Sequence, residues 1–389
     1  MRLAFCYESV LPARGGCETY IASLVRRLVA DGHEVSLYAC RWDAASLPPD
    51  LHYHKVRLLP LPRFLRPWAF GAACLRALRN AGPVVSVGFD KTWGLDVLYP
   101  QGGLYRATSV QNVLKFSAPW QRGLTQLLRW TDPTHWSYVL LERKQYLSAR
   151  RPLVIAISDM VRRHFAEHYA VGPDDLRVIR MATDAGRFDE HDRPRRRLEW
   201  RDAWGIRPDE TVAVFAGMNY RLKGLEPLLY AVRLLPPGAR FKLLVAGSAA
   251  TGRFERLARW LGVDGRVRFI GYCADMRNAY FAADFLVHPT FYDPCSLVVP
   301  EALACGLPVI TTRYNGAGEL LRPPREGYVV VDPHDHSRLA WCMTQLLDPS
   351  RRAACGVAAR RAAAAWTFEH HYRQLLSAFS EAAARKRAA

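Results

Sequence analysis

No apolar run in the 389 residues approaches the roughly 20 needed to cross a bilayer. The amino terminus, Met1 to Glu8, lacks a long apolar stretch and carries an early acid, so it is not expected to be a signal peptide. Lysine is scarce: seven of the 54 basic residues are Lys and 47 are Arg. The nine cysteines (6, 17, 40, 74, 273, 295, 305, 342, 355) are odd in number and never stand as Cys-x-x-Cys. That argues against a disulfide scaffold or zinc ribbon and for a reducing, cytosolic compartment. Gly and Pro, 26 and 25, follow no period, which excludes collagen-like arrays. Half the residues are hydrophobic and 23% charged, which excludes disorder. At roughly 100–200 residues per domain, the length suggests two domains.

Acids are nearly missing from one stretch of 81 residues. Between Leu51 and Thr131 stand eleven Lys/Arg and two acids, Asp90 and Asp96. That stretch carries +9 of the total +18 and eleven aromatics, among them Trp68, Trp93, Trp120 and Trp130. Basic and aromatic together suit an anionic membrane surface, where headgroups attract the charge and Trp rings settle at the interface. Nucleic acid is the competing polyanion. No zinc-finger spacing, RNP-type motif or lone basic helix supports it, so nucleic acid is not an expected partner.

Arg2–Tyr7 reads as a buried strand. A loop with Gly15-Gly16-Cys17-Glu18 follows, then Ile21, Leu24, Val25, Leu28 and Val29 on one helical face, Gly32 as a C-cap, and a strand at 34–38. This is a βαβ unit. The second half repeats the pattern. Strands are expected at 211–217, 241–247, 267–269, 284–289 and 307–312, with helices near 225–235 and 254–261. The expected architecture is α/β, two doubly wound Rossmann-like domains facing a central cleft. The linker is expected between Met181 and Leu198, with the Arg run at 193–197 read as solvated. A helix from Thr367 closes the chain. His164, His168, His370 and His371 are expected to face solvent.

The strongest local signal runs from Pro289 to Ile310: strand, polar loop with Asp293, helix with Glu301, Gly306 as a stop, strand. Between the two acids lie the amides of Cys295, Ser296 and Leu297, which at a helix start would welcome a phosphate or a sugar hydroxyl. Carboxylates accept hydrogen bonds from vicinal hydroxyls. Pro300 has no N–H and fits only if the helix begins near Val298.

Asp293-x7-Glu301 followed by Pro308-Val309 resembles the E-x7-E signature of retaining GT-B glycosyltransferases of the GT4 type. Gly217-Met218-Asn219-Tyr220-Arg221-Leu222-Lys223-Gly224 is similar to that family's phosphate loop, Gly15-Gly16-x-Glu18 to its amino-terminal Gly-Gly loop, and Trp366-Thr367-Phe368-Glu369 to the start of its closing helix. Within the family the likeness is to the lipopolysaccharide-core glucosyltransferase group, on Gly94 to Arg106 and Tyr292-Asp293-Pro294-Cys295.

The resemblance implies three parts: an acceptor-binding domain over 1–185, a nucleotide-sugar donor domain over 186–366, and a carboxyl-terminal helix over 367–389 packing back on the first domain. It implies Glu301 on the donor's ribose, Asp293 on the hexose, and Arg221 and Lys223 on the pyrophosphate. Gly15, Gly16 and Gly217 would let backbone approach the donor. No cofactor and no metal are expected. Asp96 either orients the acceptor or is a turn residue. The implied activity is hexose transfer from a nucleotide sugar, UDP-glucose favoured, to a lipid-linked glycan such as lipopolysaccharide core. It would take place on the inner face of the cytoplasmic membrane. A GDP-mannose-dependent transferase, a sugar-nucleotide epimerase and a basic peripheral membrane protein are the alternatives.

Overall fold

The computed structural model describes residues 1–12, 15–82, 84–148, 151–188 and 191–388. Two compact units emerge: Met1–Arg180 with His371–Ala389, and Met181–His370. Asp189 and Glu190 of the expected linker lie outside the described residues.

The first unit contains β1 (Arg2–Cys6), β2 (Ser9–Val10), β3 (Glu34–Ala39), β4 (Arg41–Trp42), β5 (His52–Lys55), β6 (Val85–Phe89), β7 (Val97–Tyr99), β8 (Leu153–Ala156) and β9 (Leu176–Val178). Seven of them form a parallel sheet in the order β5-β3-β1-β6-β7-β8-β9, and β2 pairs with β4 separately. The helix Gly16–Ala30 buries Tyr20, Ile21, Leu24, Val25 and Leu28, the face set by the 3.6-residue period. Gly32 ends it at φ +77°, with its own N–H donating to Val29 O and the His33 N–H to Leu28 O.

The second unit contains β10 (Thr211–Gly217), β11 (Phe241–Gly247), β12 (Val267–Gly271), β13 (Phe285–His288), β14 (Val309–Thr312) and β15 (Gly327–Val330). They pair in parallel in the order β12-β11-β10-β13-β14-β15. Helices cover both faces of such a sheet, so its strands read as continuous apolar runs. Val212, Ala213, Val214 and Phe215 are accordingly all fully buried. Phe215, Leu228, Phe241, Val245, Phe285 and Met343 share one core, and each large side chain contributes about 1.5–3 kcal/mol by leaving water.

Two expectations are corrected. The Arg run is a docked helix, Arg193–Ala203, not a solvated linker. Arg193 donates to Cys305 O, Arg196 to Asp275 and Asn278, and Arg197 and Arg201 to the two oxygens of Asp284. Arg's planar fork suits this satisfying of a helix-end carbonyl and two carboxylates. His371 does not face solvent. Its ring is buried, with Nε2 2.6 Å from Tyr20 Oη and Nδ1 2.7 Å from Arg180 O. The carboxyl-terminal helix, Phe368–Ala388, places Phe379 edge-on to Phe5 at 6.2 Å within the first unit.

Candidate functional site

In an open parallel sheet the ligand edge is the carboxyl end of the strands, at the point where the strand order reverses. In the second unit that point lies between β10 and β13. β10 ends at Gly217 and leads into the loop 218–224; β13 ends at His288 and leads into the loop 289–297. The two loops are tied together. Thr290 Oγ1 donates to Leu222 O at 3.1 Å, and the Phe291 N–H donates to the same carbonyl at 2.9 Å. Gly224 has φ +82°, and a Cβ there would sit 2.0 Å from Pro289 O, so only glycine permits this approach.

The fold brings Lys223 and Asp293 into contact, with Lys223 Nζ 2.5 Å from Asp293 Oδ2. His288 Nε2 lies 3.6 Å from the same oxygen and 3.5 Å from Ser296 Oγ. Burial would raise the Asp293 carboxyl, but the Lys223 ammonium and His288 outweigh it and hold the group well below the usual carboxylate range. Burial keeps His288 below its ordinary value, against the opposing contact with Asp293. The Asp293 backbone is clamped: its N–H donates to Tyr314 O and its carbonyl accepts the Gly316 N–H, both at 2.9 Å. Gly217 stands beside the pair; a Cβ there would come within 2.9 Å of Lys223 Cγ. Arg221 is half-buried on the same loop, and burial followed by the nearby Arg253 lowers its pKa.

The helix Val298–Ala304 starts where Pro300 requires, making Pro300 its third residue. Glu301 in its first turn accepts the Tyr280 hydroxyl at 2.7 Å. Burial pushes its carboxyl up to about 7, against the Tyr280 hydrogen bond and the Arg187 charge. The Ser296 N–H, expected to face a ligand, donates to Asn315 Oδ1 at 3.3 Å instead. Asn315 also accepts the Ala317 N–H, so its amide organises the loop after β14. Cys295 is buried. Among the described residues no group of three His, Cys, Asp or Glu side chains is placed to hold a metal ion.

His288 was not singled out from the sequence. Its signal was one polar residue closing the apolar strand Phe285-Leu286-Val287. Gly15 and Gly16 lie in the first unit, heading the helix after β1, where Gly15 O accepts the Thr19 N–H at 3.2 Å.

Asp96, expected as an acceptor-orienting group or a turn residue, has its carboxylate engaged within the first unit. The connection from β6 to β7 must cross from the carboxyl edge of the sheet to the amino edge, because the two strands run parallel. Asp96 sits at its far end, just before β7. Its Oδ2 accepts from Ser86 N, Ser86 Oγ and Lys386 Nζ at 2.9, 2.7 and 2.8 Å. It is a structural tie to the carboxyl-terminal helix.

A second feature stands on the surface of the first unit. The helix Pro119–Trp130 buries no residue among those described. Trp120, Leu124, Leu127 and Leu128 recur at i, i+4, i+7 and i+8, and all are exposed, as are Trp130, Trp136 and Leu140. Its apolar face therefore points outward, the reverse of a core helix. Trp68 and Trp93 are not part of this face: they pack on each other, 5.7 Å between ring centroids, with Lys144 over both. Among the described residues no helix is long and apolar enough to cross a membrane.

Residues 14–187 match the family described as Glycosyltransferase Family 4, and residues 210–349 match Glycosyl transferases group 1. A probable transglycosylase of Burkholderia thailandensis is 30% identical over 382 residues, covering 96% of this chain and 95% of that protein. The chain belongs to the family 4 glycosyltransferases. This glycosyltransferase is also 25% identical to the lipopolysaccharide glucosyltransferase WaaG of Escherichia coli, over 90% of each chain. Its fold matches the crystal structure of WaaG with a TM-score of 0.79, at 23% identity and 98% coverage of both chains. It matches Anabaena HepE in complex with UDP-glucose with a TM-score of 0.73, at 18% identity over 98% of this chain and 100% of that one. Both likenesses establish the GT-B architecture.

Proposed function

We propose that this glycosyltransferase moves a hexose from a nucleotide sugar, UDP-glucose favoured, to a lipid-linked glycan such as lipopolysaccharide core, retaining the anomeric configuration and using no metal. The second unit takes the donor and the first takes the acceptor. The observation that carries the reading is the Lys223 ammonium seated on the Asp293 carboxylate, at the strand-order reversal of the second unit's sheet.

An arriving diphosphate competes with Asp293 for Lys223 and, with Arg221, neutralises its charge. Asp293 then turns its oxygens to hexose hydroxyls. Glu301, with one hydrogen bond from Tyr280, has lone pairs left for the vicinal ribose hydroxyls. The bond from the anomeric carbon to phosphate breaks with its electron pair leaving on the diphosphate. The acceptor oxygen bonds to that carbon on the same face. The cations stabilise the departing charge. Asp293 and Glu301 hold ligand; they are not the acid and base of a hydrolase.

The relatives support the choice of donor and acceptor: one is named a lipopolysaccharide glucosyltransferase and one was solved with UDP-glucose. The helix Pro119–Trp130 supports a peripheral position on the cytoplasmic face of the membrane, with Trp and Leu entering the headgroup boundary of an anionic leaflet. That surface also disfavours a sugar-nucleotide epimerase, which needs no lipid. The test is incubation with UDP-glucose, UDP-N-acetylglucosamine or GDP-mannose and a truncated lipopolysaccharide. UDP release from UDP-glucose, dependent on the glycan, is expected. Turnover of GDP-mannose alone would make the protein a mannosyltransferase, and an epimerised sugar nucleotide formed without acceptor would make it an epimerase.

A further inference from the structure

The first unit has its own strand-order reversal, between β1 and β6, because the chain runs from β1 out to β3 and returns to β6 on the other side. Asp90 is the residue directly after β6 at that edge. It holds φ +53°, a left-handed conformation that strains an ordinary residue and that Asp tolerates better than most. The surrounding structure enforces it. Gln145, itself buried, donates its side-chain amide to Asp90 O and to Thr92 O. Asp90 Oδ1 accepts the Gly102 N–H at 2.8 Å. A Cβ on Gly102 would lie 3.4 Å from that oxygen, in ordinary contact with it.

A second observation at the same edge points to a ligand. Gln101, two residues after β7, has its Nε2 shielded from solvent with no hydrogen-bond partner among the described residues. A buried amide donor left unpaired is unfavourable, and a hydroxyl oxygen would satisfy it. The two residues are neighbours: the Gln101 backbone N–H also hydrogen-bonds the Asp90 carboxylate.

We propose that Asp90 binds the attacking hydroxyl of the acceptor glycan and takes its proton, while the Gln101 amide donates to an adjacent glycan oxygen. The proposal rests on the transferase reading above. The balance is simple: the acceptor oxygen bonds to the anomeric carbon, the diphosphate leaves with the electron pair of the broken bond, and the proton passes to Asp90 and then to water. Tyr7 after β1, Cys17 on the helix Gly16–Ala30, the adjacent Lys91 and Tyr146 from the helix Pro133–Tyr146 face the group, and Glu18 stands beside Tyr7 and Cys17. Burial raises the Asp90 carboxyl, which moves it toward the range of a working base.

The test uses the full-length protein and two variants, Asp90→Asn and Gln101→Leu. Asn also accepts the left-handed conformation, so the fold is kept and an unchanged melting midpoint confirms it. UDP release is read with truncated lipopolysaccharide and, more slowly, with water as the acceptor. Asp90→Asn is expected to lower both rates about 100-fold, to abolish the acid limb of the rate profile and to leave UDP affinity unchanged. Gln101→Leu is expected to raise the KM for the glycan more than it lowers kcat. Unchanged rates and pH profile in Asp90→Asn, or a fall in UDP affinity matching the fall in rate, overturn the assignment. A wild-type protein that releases no UDP with either acceptor overturns the transferase reading itself, and the role of Asp90 with it.

Discussion

Lys223 Nζ and Asp293 Oδ2, 70 residues apart in the chain, meet at 2.5 Å where the loops after β10 and β13 converge. The pair is mostly buried, with side-chain exposures of 21% and 12%. Each partner is the counter-charge the other needs until a ligand arrives. Removing one partner of such a pair leaves an uncompensated charge and costs about 3 kcal/mol. Lys223→Ala should therefore destabilise the protein by that order and abolish donor binding, read by urea unfolding and by titration calorimetry with UDP.

The pH dependence of this pair has a definite sign. The folded-state carboxyl of Asp293 is depressed, so its stabilisation is present above the unfolded carboxylate pKa, about 3.9, and is lost as pH falls further. Asp293→Asn should flatten the acid limb of a stability profile below pH 4.

Glu301 behaves oppositely. Its folded carboxyl is pushed up to about 7, so the folded state holds a proton that the unfolded state has already released at pH 5–7. Stability should fall as pH rises through that window. Glu301→Gln should remove this slope and make the ligand-free protein more heat-resistant at pH 8, while weakening UDP binding at least tenfold. Melting curves across pH with and without UDP check both halves.

Gly224→Ala places a Cβ against the Pro289 carbonyl in a left-handed backbone. The loop must open, and donor affinity should fall with it. Gly123→Ala, in the exposed helix Pro119–Trp130 where a Cβ meets nothing, should leave donor affinity unchanged.

The outward apolar helix gives a separable prediction. Leu127→Asp with Leu128→Asp should abolish flotation with anionic vesicles and change stability by less than about 0.5 kcal/mol, because both side chains are exposed in the protein alone. Added salt should weaken flotation of the wild type.

How much of this was readable in the chain follows from burial. β10, β11, β13 and β14 stand within two residues of expectation because they are buried apolar runs, and the edge strand β12 does so through its closing Gly271; β15, Gly327–Val330, was not expected. β5, His52-Tyr53-His54-Lys55, was not legible: as the sheet's edge it is polar and carries no alternation. Asp293 and Glu301 stand out in the sequence as two acids flanking a helix start, and Lys223 through the resemblance of its loop to the family's phosphate loop. His288 was not, since one polar residue in an apolar strand has no pattern. Asp90 and Asp96, six residues apart, look alike in sequence. Only the parallel register separates the ligand edge from the amino edge. The Arg-rich helix Arg193–Ala203 was read as solvated because its partners, Cys305 O, Asp275 and Asp284, lie far along the chain.

The most direct test of the central claim is titration calorimetry of the intact protein with UDP, GDP and ADP, repeated on Lys223→Ala and Glu301→Ala. The account predicts saturable heat with a nucleoside diphosphate, UDP above the others, that disappears in both variants. Absence of heat with all three nucleotides, or undiminished binding in both variants, would contradict it.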